Sequence, residues 1–509
     1  MHLALLLREH GVGTTLYADR TPAQLRDARL PNNVCRFGRT LRREQELGVD
    51  HWNFPDFGMR CAHVRVADDP PITFRGDLTV PASYVDFRLY LPRLLADYRE
   101  RGGVVVAVPD AHDALARYGS EHDLMVVATG GHGRDELFPR DPARSATAPA
   151  RFLLAGFFHG VEHTEPMGMQ LEIVPGVGEI FQTPVYSVAG RVAGITFEAV
   201  PDGPWADRVR HNYYDDPAGC ARTVRELLRE TGSEIADRID PGRFTLTRPL
   251  DLLQGAITPT VRRPWARLPS GGFAVAVGDA AVLNDPVTGQ GANLGVAAAW
   301  ELGRLIMAAQ RFDESFARDW ETRLWDLARP VTEWTASALG PPPDQVFDVF
   351  RAAAVDQGVA NRYLDNFDDP AAMWASMATP QGAKDFLANA ATDITARIPE
   401  PDVVDREMRL LDALARDDPA ARQSLTAPDS MLVDQHGCHR LQDEWPGTAA
   451  NEIVRRPMDI SLLRLADSAL LVTYRTGGLH CSTVWRYEPD AGWAVAVHHR
   501  SPDSRQEIQ

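Results

Sequence analysis

The sequence predicts an α/β fold joined to a smaller α+β domain, and three observations support this class. Residues 271–306 read as a buried strand, a glycine-rich loop and a helix, the repeating pattern of an open α/β sheet. Residues 151–200 contain short strands broken by Pro-Gly and Gly turns, as expected of an antiparallel sheet. Two prolines mark a boundary at 398–403, and strands and hairpins follow it.

Length and composition limit the class of protein further. A chain of 509 residues is too long for one ordinary domain and predicts two or three. A net charge of −17 without a basic cluster argues against nucleic-acid binding, and no apolar run approaches the roughly 20 residues of a membrane helix. The sequence contains five cysteines, and their spacing is typical of neither a metal site nor a disulfide framework: Cys35, Cys61, Cys220, Cys438 and Cys481. This pattern favours the reducing cytoplasm and predicts no metal site.

The first elements indicate a dinucleotide-binding unit. A helix is predicted from Leu3 to His10 and a strand from Thr14 to Tyr17, and Asp19 follows where a Rossmann-like unit keeps an acid for a ribose hydroxyl. The strand and GxGxxG loop that such a unit places before this helix are not in the printed sequence. We expect an upstream start to supply them. The alternative is an N-terminally truncated protein without a pyrophosphate cradle and with weak affinity for a dinucleotide.

The stretch with the most specific pattern begins at the apolar strand Phe273 to Val277, which delivers Asp279 at its carboxyl end. A turn-rich loop with Gly289 and Gly291 follows, and glycines let a backbone approach a planar ligand closely. The helix predicted from Ala292 to Gln310 would offer its unpaired N–H groups to an anionic oxygen. A second helix is predicted over 313–338 with an interruption at Pro330.

The segment GDAAVLNDPVTGQGAN, residues 278–293, resembles the second flavin fingerprint of FAD-dependent aromatic-ring and alkene monooxygenases. Up to about residue 395 the chain resembles styrene and indole monooxygenases, the oxygenase components of two-component systems. The resemblance implies that cofactor contacts come from Asp19, Arg29, Asn32, Thr129, Gly130, Asp279, Pro286, Gly289, Gln290, Gly291, Ala292 and Asn293. It also makes Asn32 the candidate catalytic residue. The predicted ranges are 1–150 and 261–398 for FAD binding, 151–260 for the substrate sheet and 403–505 for the last domain.

The resemblance also implies an activity. Reduced FAD from a separate NADH:flavin reductase would react with O2 to a C4a-hydroperoxide, which passes one oxygen atom to a small apolar aromatic alkene or arene. Single-component hydroxylases carry Asp-Gly where Thr129 stands, which favours a separate reductase. The residues Arg36, Met59, Ala62 and Ala82 differ from those expected in styrene enzymes, so the substrate stays open. We expect a homodimer.

Two other functions remain open. One is a flavin-dependent halogenase or polyprenyl reductase of the same fold, although neither a WxWxIP signature nor a pocket lysine is found. The other is a truncated, non-catalytic relative whose last domain binds small molecules or dimerises.

The last domain resembles the cone-shaped α+β barrel of SnoaL-like and nuclear-transport-factor-like proteins, most closely in the segment VWRYEPDAGWAVAVHH. Polar residues that such a cone could turn inward are Asp434, His436, Arg486, His498 and His499. Members of that superfamily catalyse, bind or only dimerise, and we favour a structural or dimerising role here.

Overall fold

The computed structural model describes residues 1–52, 57–108, 115, 117–130, 137–393, 406–411, 413, 418–434, 437–440, 458–466, 469–476, 479–488 and 492–502. The chain divides into two compact units, Met1–Ala388 and Asn389–Gln509.

The strands of the first unit are β1 Thr15–Ala18, β2 Cys35–Arg36, β3 Gly58–Val66, β4 Ile72–Tyr84, β5 Val104–Ala107, β6 Leu124–Val127, β7 Phe152–His159, β8 Met169–Val174, β9 Gly178–Ser187, β10 Gly190–Ala199, β11 Thr245–Leu246, β12 Leu252–Ala256, β13 Thr260–Val261, β14 Trp265–Arg267, β15 Phe273–Ala276 and β16 Val282–Leu283. The helices are α1 His2–Glu9, α2 Pro22–Arg26, α3 Gly38–Glu46, α4 Phe87–Glu100, α5 Ala206–Arg210, α6 Pro217–Glu230, α7 Glu234–Asp237, α8 Gly291–Ala308, α9 Glu314–Ala338, α10 Asp344–Val355, α11 Gln357–Asp365, α12 Pro370–Met377 and α13 Pro380–Asp393.

Two small sheets contain the parallel strands of the dinucleotide-binding type. One consists of β1 and β5, and the other runs β14-β15-β6, with β15 and β6 parallel. Every residue of β15 is buried, because α8 and α9 pack against it and Trp320 of α9 donates its indole N–H to the Ala276 carbonyl at 3.1 Å. This burial explains why β15 is continuously apolar rather than alternating.

A nine-stranded sheet forms the other half of the first unit. Its order is β11-β7-β10-β9-β8-β3-β4-β2, and β12 also pairs with β7. The sheet is mostly antiparallel, with β3 and β8 parallel. It extends beyond the range 151–260 expected for the substrate sheet, because the long hairpin of β3 and β4 supplies three of its edge positions together with β2. Sequence distance hid this arrangement, since about a hundred residues separate β3 from its parallel partner β8.

Helix α9 continues through Pro330, so the expected interruption was wrong. A proline inside a helix removes one backbone hydrogen bond and costs about 3 kcal/mol or more. Around it the helix buries Ala328, Val331 and Trp334, and this apolar contact offsets the loss. The helix starts cleanly because the Asp313 carboxylate accepts hydrogen bonds from the amides of residues 315 and 316.

The second unit is built on a six-stranded mixed sheet in the order β18-β17-β22-β21-β20-β19. Its elements are helix α14 Pro419–Leu425 and strands β17 Thr426–Asp434, β18 Gly437–Arg440, β19 Met458–Ala466, β20 Ala469–Thr476, β21 Leu479–Glu488 and β22 Gly492–Pro502. Strands β17 and β22 are parallel and the other pairs are antiparallel. The likeness to a SnoaL-like cone stays a prediction.

Three further observations concern the cysteines, membrane-spanning helices and metal-binding groups. All five cysteines are free thiols. Among the helices that the structure describes, none has both the length and the apolar character needed to cross a membrane. Within the same residues, no group of three or more His, Cys, Asp or Glu side chains is arranged to hold a metal ion.

Candidate active site

The centre of the candidate site is the carboxyl edge shared by β6 and β15. The two strands are parallel and in register, with Ala276 opposite Val127, and the amide of Val277 donates to the Val127 carbonyl at 3.0 Å. The residues that follow each strand therefore meet at one edge. This geometry brings the predicted Thr129–Gly130 corner next to Asp279.

Asp279 lies in a short 3-10 turn, Gly278–Ala280, directly after β15. Its side chain is exposed, and no hydrogen bond or ion pair links it to any other described residue. A carboxylate in this state can accept hydrogen bonds from the hydroxyl groups of a polyol. The structure thus leaves Asp279 available for the role that the resemblance implies.

The loop after Asp279 is held in a fixed shape by its own residues. Asp285 accepts a hydrogen bond from the Val287 amide at 3.1 Å and so caps the 3-10 turn Pro286–Thr288. The Thr288 hydroxyl contacts the Thr335 hydroxyl of α9 at 2.8 Å. Gly289 then takes a left-handed conformation, with φ of 66°, which a residue with a Cβ adopts only at a cost.

Gln290 and Asn293 use their side chains inside the protein. The Gln290 amide donates to the Phe367 carbonyl at 2.9 Å, and Gln290 is buried. Asn293 accepts from the Phe37 amide at 3.0 Å and from the Thr40 hydroxyl at 2.8 Å. It also donates to the Cys35 carbonyl at 2.9 Å and to the Gly289 carbonyl at 3.2 Å. Any contact of these two residues with a ligand would therefore come from their backbones.

The start of α8 offers backbone N–H groups toward open space. Its cap residue Gln290 gives no side-chain hydrogen bond to the first turn, so the N–H groups of Gly291, Ala292 and Asn293 have no helical partner. A Cβ added to Gly291 would meet no atom within 4 Å, and the same holds at Gly130, Gly278 and Gly289. The positive end of α8 and the open space at these glycines are suited to a flat, electron-rich group.

Residues 29–33 run along the nine-stranded sheet. The Arg29 guanidinium stacks on the Tyr214 ring at 3.7 Å from its centroid. The Asn33 amide donates to the Thr183 hydroxyl of β9 at 3.0 Å. Between them, the amide oxygen of Asn32 is buried and has no hydrogen-bond partner. A buried acceptor without a donor is costly, so this oxygen is suited to receive a hydrogen bond from a bound molecule.

Asp19 lies in a different setting from the other predicted contacts. It follows β1, which pairs with β5 and, within the described ranges, with no strand of the sheet that carries Asp279. Its side chain is 63% exposed, and the nearest cation is its neighbour Arg20 at 3.9 Å. The structure therefore shows no contact between Asp19 and the loop at 284–293.

Behind the loop lies a buried charged cluster that the sequence reasoning missed. Glu198 of β10 stands opposite Glu179 of β9, and Arg151 binds both oxygens of Glu179 at 2.7 and 2.8 Å. Asp285 joins Glu198 from the loop side, and all four residues are at most 7% exposed. No spacing in the sequence signals this cluster, because its members come from three distant segments.

Comparison with known proteins gives the family. Residues 130–238 match the model described as "Styrene monooxygenase A putative substrate binding domain". The chain is 32% identical over 386 residues to styrene monooxygenase StyA of Pseudomonas fluorescens, covering 75% of this chain and 93% of that protein. It is 31% identical over 401 residues to StyA of a Pseudomonas species, covering 78% and 97%.

The chain belongs to the styrene monooxygenase family. It is an enzyme of the flavin-dependent monooxygenase class, which confirms the resemblance inferred from residues 278–293. The solved structure of p-nitrophenol 4-monooxygenase PnpA from Pseudomonas putida DLL-E4 has a TM-score of 0.52 at 12% identity, covering 73% of this chain and 95% of that chain. This likeness confirms a Rossmann-like α/β fold combined with a sheet domain.

The four positions at which the sequence is expected to differ from styrene enzymes are all buried in the first unit. Met59 and Ala82 are cross-strand partners in β3 and β4, and both are buried, as is Ala62. Arg36 is buried as well; it forms an ion pair with Glu44 and donates to the Ser83 hydroxyl at 2.7 Å. The charge of Arg36 is therefore neutralised within the protein.

Proposed function

We propose that this styrene monooxygenase family member is the oxygenase component of a two-component system. It binds FAD in its reduced form, supplied by a separate NADH:flavin reductase, and transfers one O2-derived oxygen atom to an aromatic alkene or arene of the styrene or indole type. The observation that carries the proposal is the junction of β15, the loop and α8. There the exposed Asp279, open glycines and the unbonded first-turn N–H groups of α8 follow one another along a single stretch of chain.

The residues present fit a flavin. The open space in front of Gly130, Gly278 and Gly291 leaves room for a planar ring to approach the backbone. Asp279 suits the ribityl hydroxyls, and the first-turn N–H groups of α8 suit an electron-rich carbonyl edge of the ring. Asp19 would take a ribose hydroxyl in the other half of FAD.

When bound and reduced, the flavin supplies O2 activation and the transfer of the oxygen atom. The chain's own part is to orient and to exclude water. Gln290 and Asn293 hold the ring-facing loop to residues 35–40 and 367, so the loop presents its N–H groups without rearranging. Asn32 offers its unpartnered oxygen to a donor on the substrate or the ring. The nine-stranded sheet covers the other side and limits the entry of water.

The second unit has a structural role in this proposal, as a SnoaL-like α+β domain. His498 is buried, its Nδ1 lies 2.8 Å from the Thr483 hydroxyl, and burial lowers the pKa of His498 to about 3. The Thr483 hydroxyl donates a hydrogen bond to the Glu407 carboxylate at 2.7 Å. Arg486 forms an ion pair with Asp429 at 2.9 Å and is 39% exposed. Of the polar residues named above, His436 and the Asp434 side chain lie outside the described residues.

The test is reconstitution with isotopic oxygen. The protein from its native gene is mixed with a flavin reductase, FAD, NADH and either styrene or indole under ¹⁸O2. We expect one ¹⁸O atom in the product and no product when the reductase is left out. If the protein binds reduced FAD but oxygenates no aromatic alkene or arene, the proposed reaction is wrong. The Gly13→Val variant is the control for correct folding and should give the same product yield as the wild type.

A further inference from the structure

The buried cluster behind the loop holds three carboxyl groups and one guanidinium. The carboxyls are Glu179, Glu198 and Asp285, and Arg151 is the cation that faces them. The Glu198 and Asp285 side chains are each 1% exposed. A fully ionised cluster would leave two uncompensated negative charges away from water, which is strongly unfavourable.

Arg151 carries a single positive charge, which is paired with Glu179, so it cannot neutralise both remaining acids; four of its five N–H donors are also occupied. Its Nε and Nη2 bind the two oxygens of Glu179, and its Nη1 donates to the carbonyls of Ala150 at 3.0 Å and Leu339 at 3.1 Å. Glu198 and Asp285 are left to face each other.

One oxygen on each acid has no donor. Glu198 Oε2 and Asp285 Oδ2 are both buried, and neither accepts a hydrogen bond from an N–H or O–H group of the described residues. The two side chains are nevertheless placed to hydrogen-bond to each other. A single proton between them would give both oxygens a partner and turn a repulsion into a hydrogen bond.

We propose that Glu198 and Asp285 share one proton, and that this carboxyl pair is a positioning element that fixes the 284–291 loop against the substrate sheet. The proton comes from solvent as the chain folds and is not consumed. The position of Asp285 gives the pair its effect, because its other oxygen holds the Val287 amide and thereby the turn before Gly289. The link to flavin binding rests on the function proposed above, whereas the shared proton does not.

The electrostatics agree with this geometry. Burial, followed by the charges of Asp285 and Glu179, raises the pKa of Glu198 well above its usual value. Burial raises the pKa of Asp285 to about 6. The proton therefore resides mainly on Glu198 and is donated to Asp285. Because the folded pKa is raised, the pair stabilises the fold at low pH, and this contribution is lost as pH rises through the folded pKa.

The first experiment is an infrared titration of the flavin-free protein. The wild type should show a protonated-carboxyl band at neutral pH that E198Q lacks. D285N removes the negative charge of Asp285 and places an amide N–H, a hydrogen-bond donor, next to Glu198, so Glu198 no longer needs its proton for this contact. The proton of Glu198 should then dissociate at least about tenfold more readily, a band midpoint lower by about one pH unit. A band that is absent from the wild type, or whose midpoint is the same in D285N, overturns the shared proton.

The second experiment tests the positioning role through its pH profile. In the wild type, affinity for reduced FAD should fall at least about fivefold as pH rises through the infrared midpoint. E198Q keeps a donor to Asp285 at every pH, so its affinity should not change over that range. The matched control is E172Q: Glu172 is also buried in the sheet, but it accepts from Ser233 at 2.9 Å and from the Glu234 amide at 3.1 Å.

The outcomes separate the two ideas. E172Q should keep the wild-type pH profile, and a flattened profile in E172Q as well as E198Q contradicts a role specific to Glu198. Identical pH profiles for the wild type and E198Q contradict the positioning role. If no variant binds flavin, the proposed function fails, and the infrared titration still decides the shared proton.

Discussion

The carboxyl ends of β1 and β15 carry the same residue type in very different surroundings. Asp279 follows a fully buried strand and is flanked by a loop whose side chains are tied to α9 and to residues 35–40. Asp19 follows a half-buried strand with one partner strand, and its nearest cation is the exposed Arg20. Because neighbouring elements fix the backbone around Asp279 and not around Asp19, we expect Asp279 to be the more precisely positioned of the two acids.

The largest effect is expected from filling the space in front of the β15 end. Gly291→Val adds a side chain where no protein atom lies within 4 Å, so the protein without flavin should fold normally. With flavin bound, the same side chain would overpack the space beside the start of α8 by about 1–3 kcal/mol, which lowers flavin affinity about fivefold to hundredfold. Flavin titration followed by fluorescence measures the change.

Gly13→Val is the matched control for that variant. A Cβ at Gly13 would also meet open space, but Gly13 precedes β1, a strand of the other small sheet. Its flavin affinity should match the wild type. If Gly13→Val and Gly291→Val lose the same flavin affinity, the space in front of Gly291 is not the flavin site.

The next effect comes from removing a side chain that fixes the loop. Asn293→Ala leaves the Phe37 amide and the Cys35 carbonyl without partners, at about 1–3 kcal/mol for each buried group. The unfolding free energy should fall by about 2–4 kcal/mol, and flavin affinity should fall with it. Denaturant unfolding and flavin titration give the two values.

Asn361→Ala separates stability from binding. Asn361 accepts from the Asp77 amide at 2.8 Å and so ties α11 to β4, away from the loop. This variant should lose stability while flavin affinity stays at the wild-type level. A similar loss of affinity in both variants would mean that general destabilisation, not the loop, controls binding.

The two acids can be compared directly with two flavins. Asp279→Ala should weaken riboflavin and FAD alike, about tenfold, because the ribityl chain is common to both and a charged hydrogen bond contributes about 1.5–3 kcal/mol. Asp19→Ala should weaken FAD by a smaller factor and leave riboflavin unchanged. Titration of both flavins with both variants checks this, and a riboflavin defect in Asp19→Ala would contradict the division of roles.

The smallest effect is expected at Arg29. Arg29→Lys keeps the charge but loses the planar stack on Tyr214, which is worth about 0.5–1 kcal/mol at an exposed position. Flavin or substrate affinity should change by no more than about fivefold. Tyr214→Leu removes the same stack from the other side and also the hydroxyl that bonds the Gln254 backbone at 3.2 and 2.9 Å. The double variant should therefore lose no more affinity than Tyr214→Leu alone.

The sequence predicted the parts of the site that depend on local order. The strand–loop–helix stretch at 273–308 and the exposed Asp279 follow from apolar runs, glycine spacing and the helix start. The uses of Gln290 and Asn293 could not be predicted, because the partners of these side chains at 367 and at 35–40 are remote in the chain. The stack of Arg29 on Tyr214 and the Glu198–Asp285 pair are also long-range contacts without a local pattern.

Long-range pairing also explains why the full extent of the nine-stranded sheet was not predicted. Local alternation predicted the strands after residue 151, but the long β3–β4 hairpin joins them through a parallel contact with β8. Pro330 was misjudged for a related reason: a rule about local backbone geometry was outweighed by the packing of α9.

The central claim is that the backbone around residues 279–293 holds the flavin ring. Amide hydrogen exchange read by mass spectrometry, with and without saturating reduced FAD under anaerobic conditions, tests it most directly. We expect the peptide containing the Gly291, Ala292 and Asn293 amides to exchange at least about tenfold more slowly with flavin, while the peptide of β20 is unchanged. Unchanged exchange over residues 284–296 in a protein saturated with FAD would contradict the account.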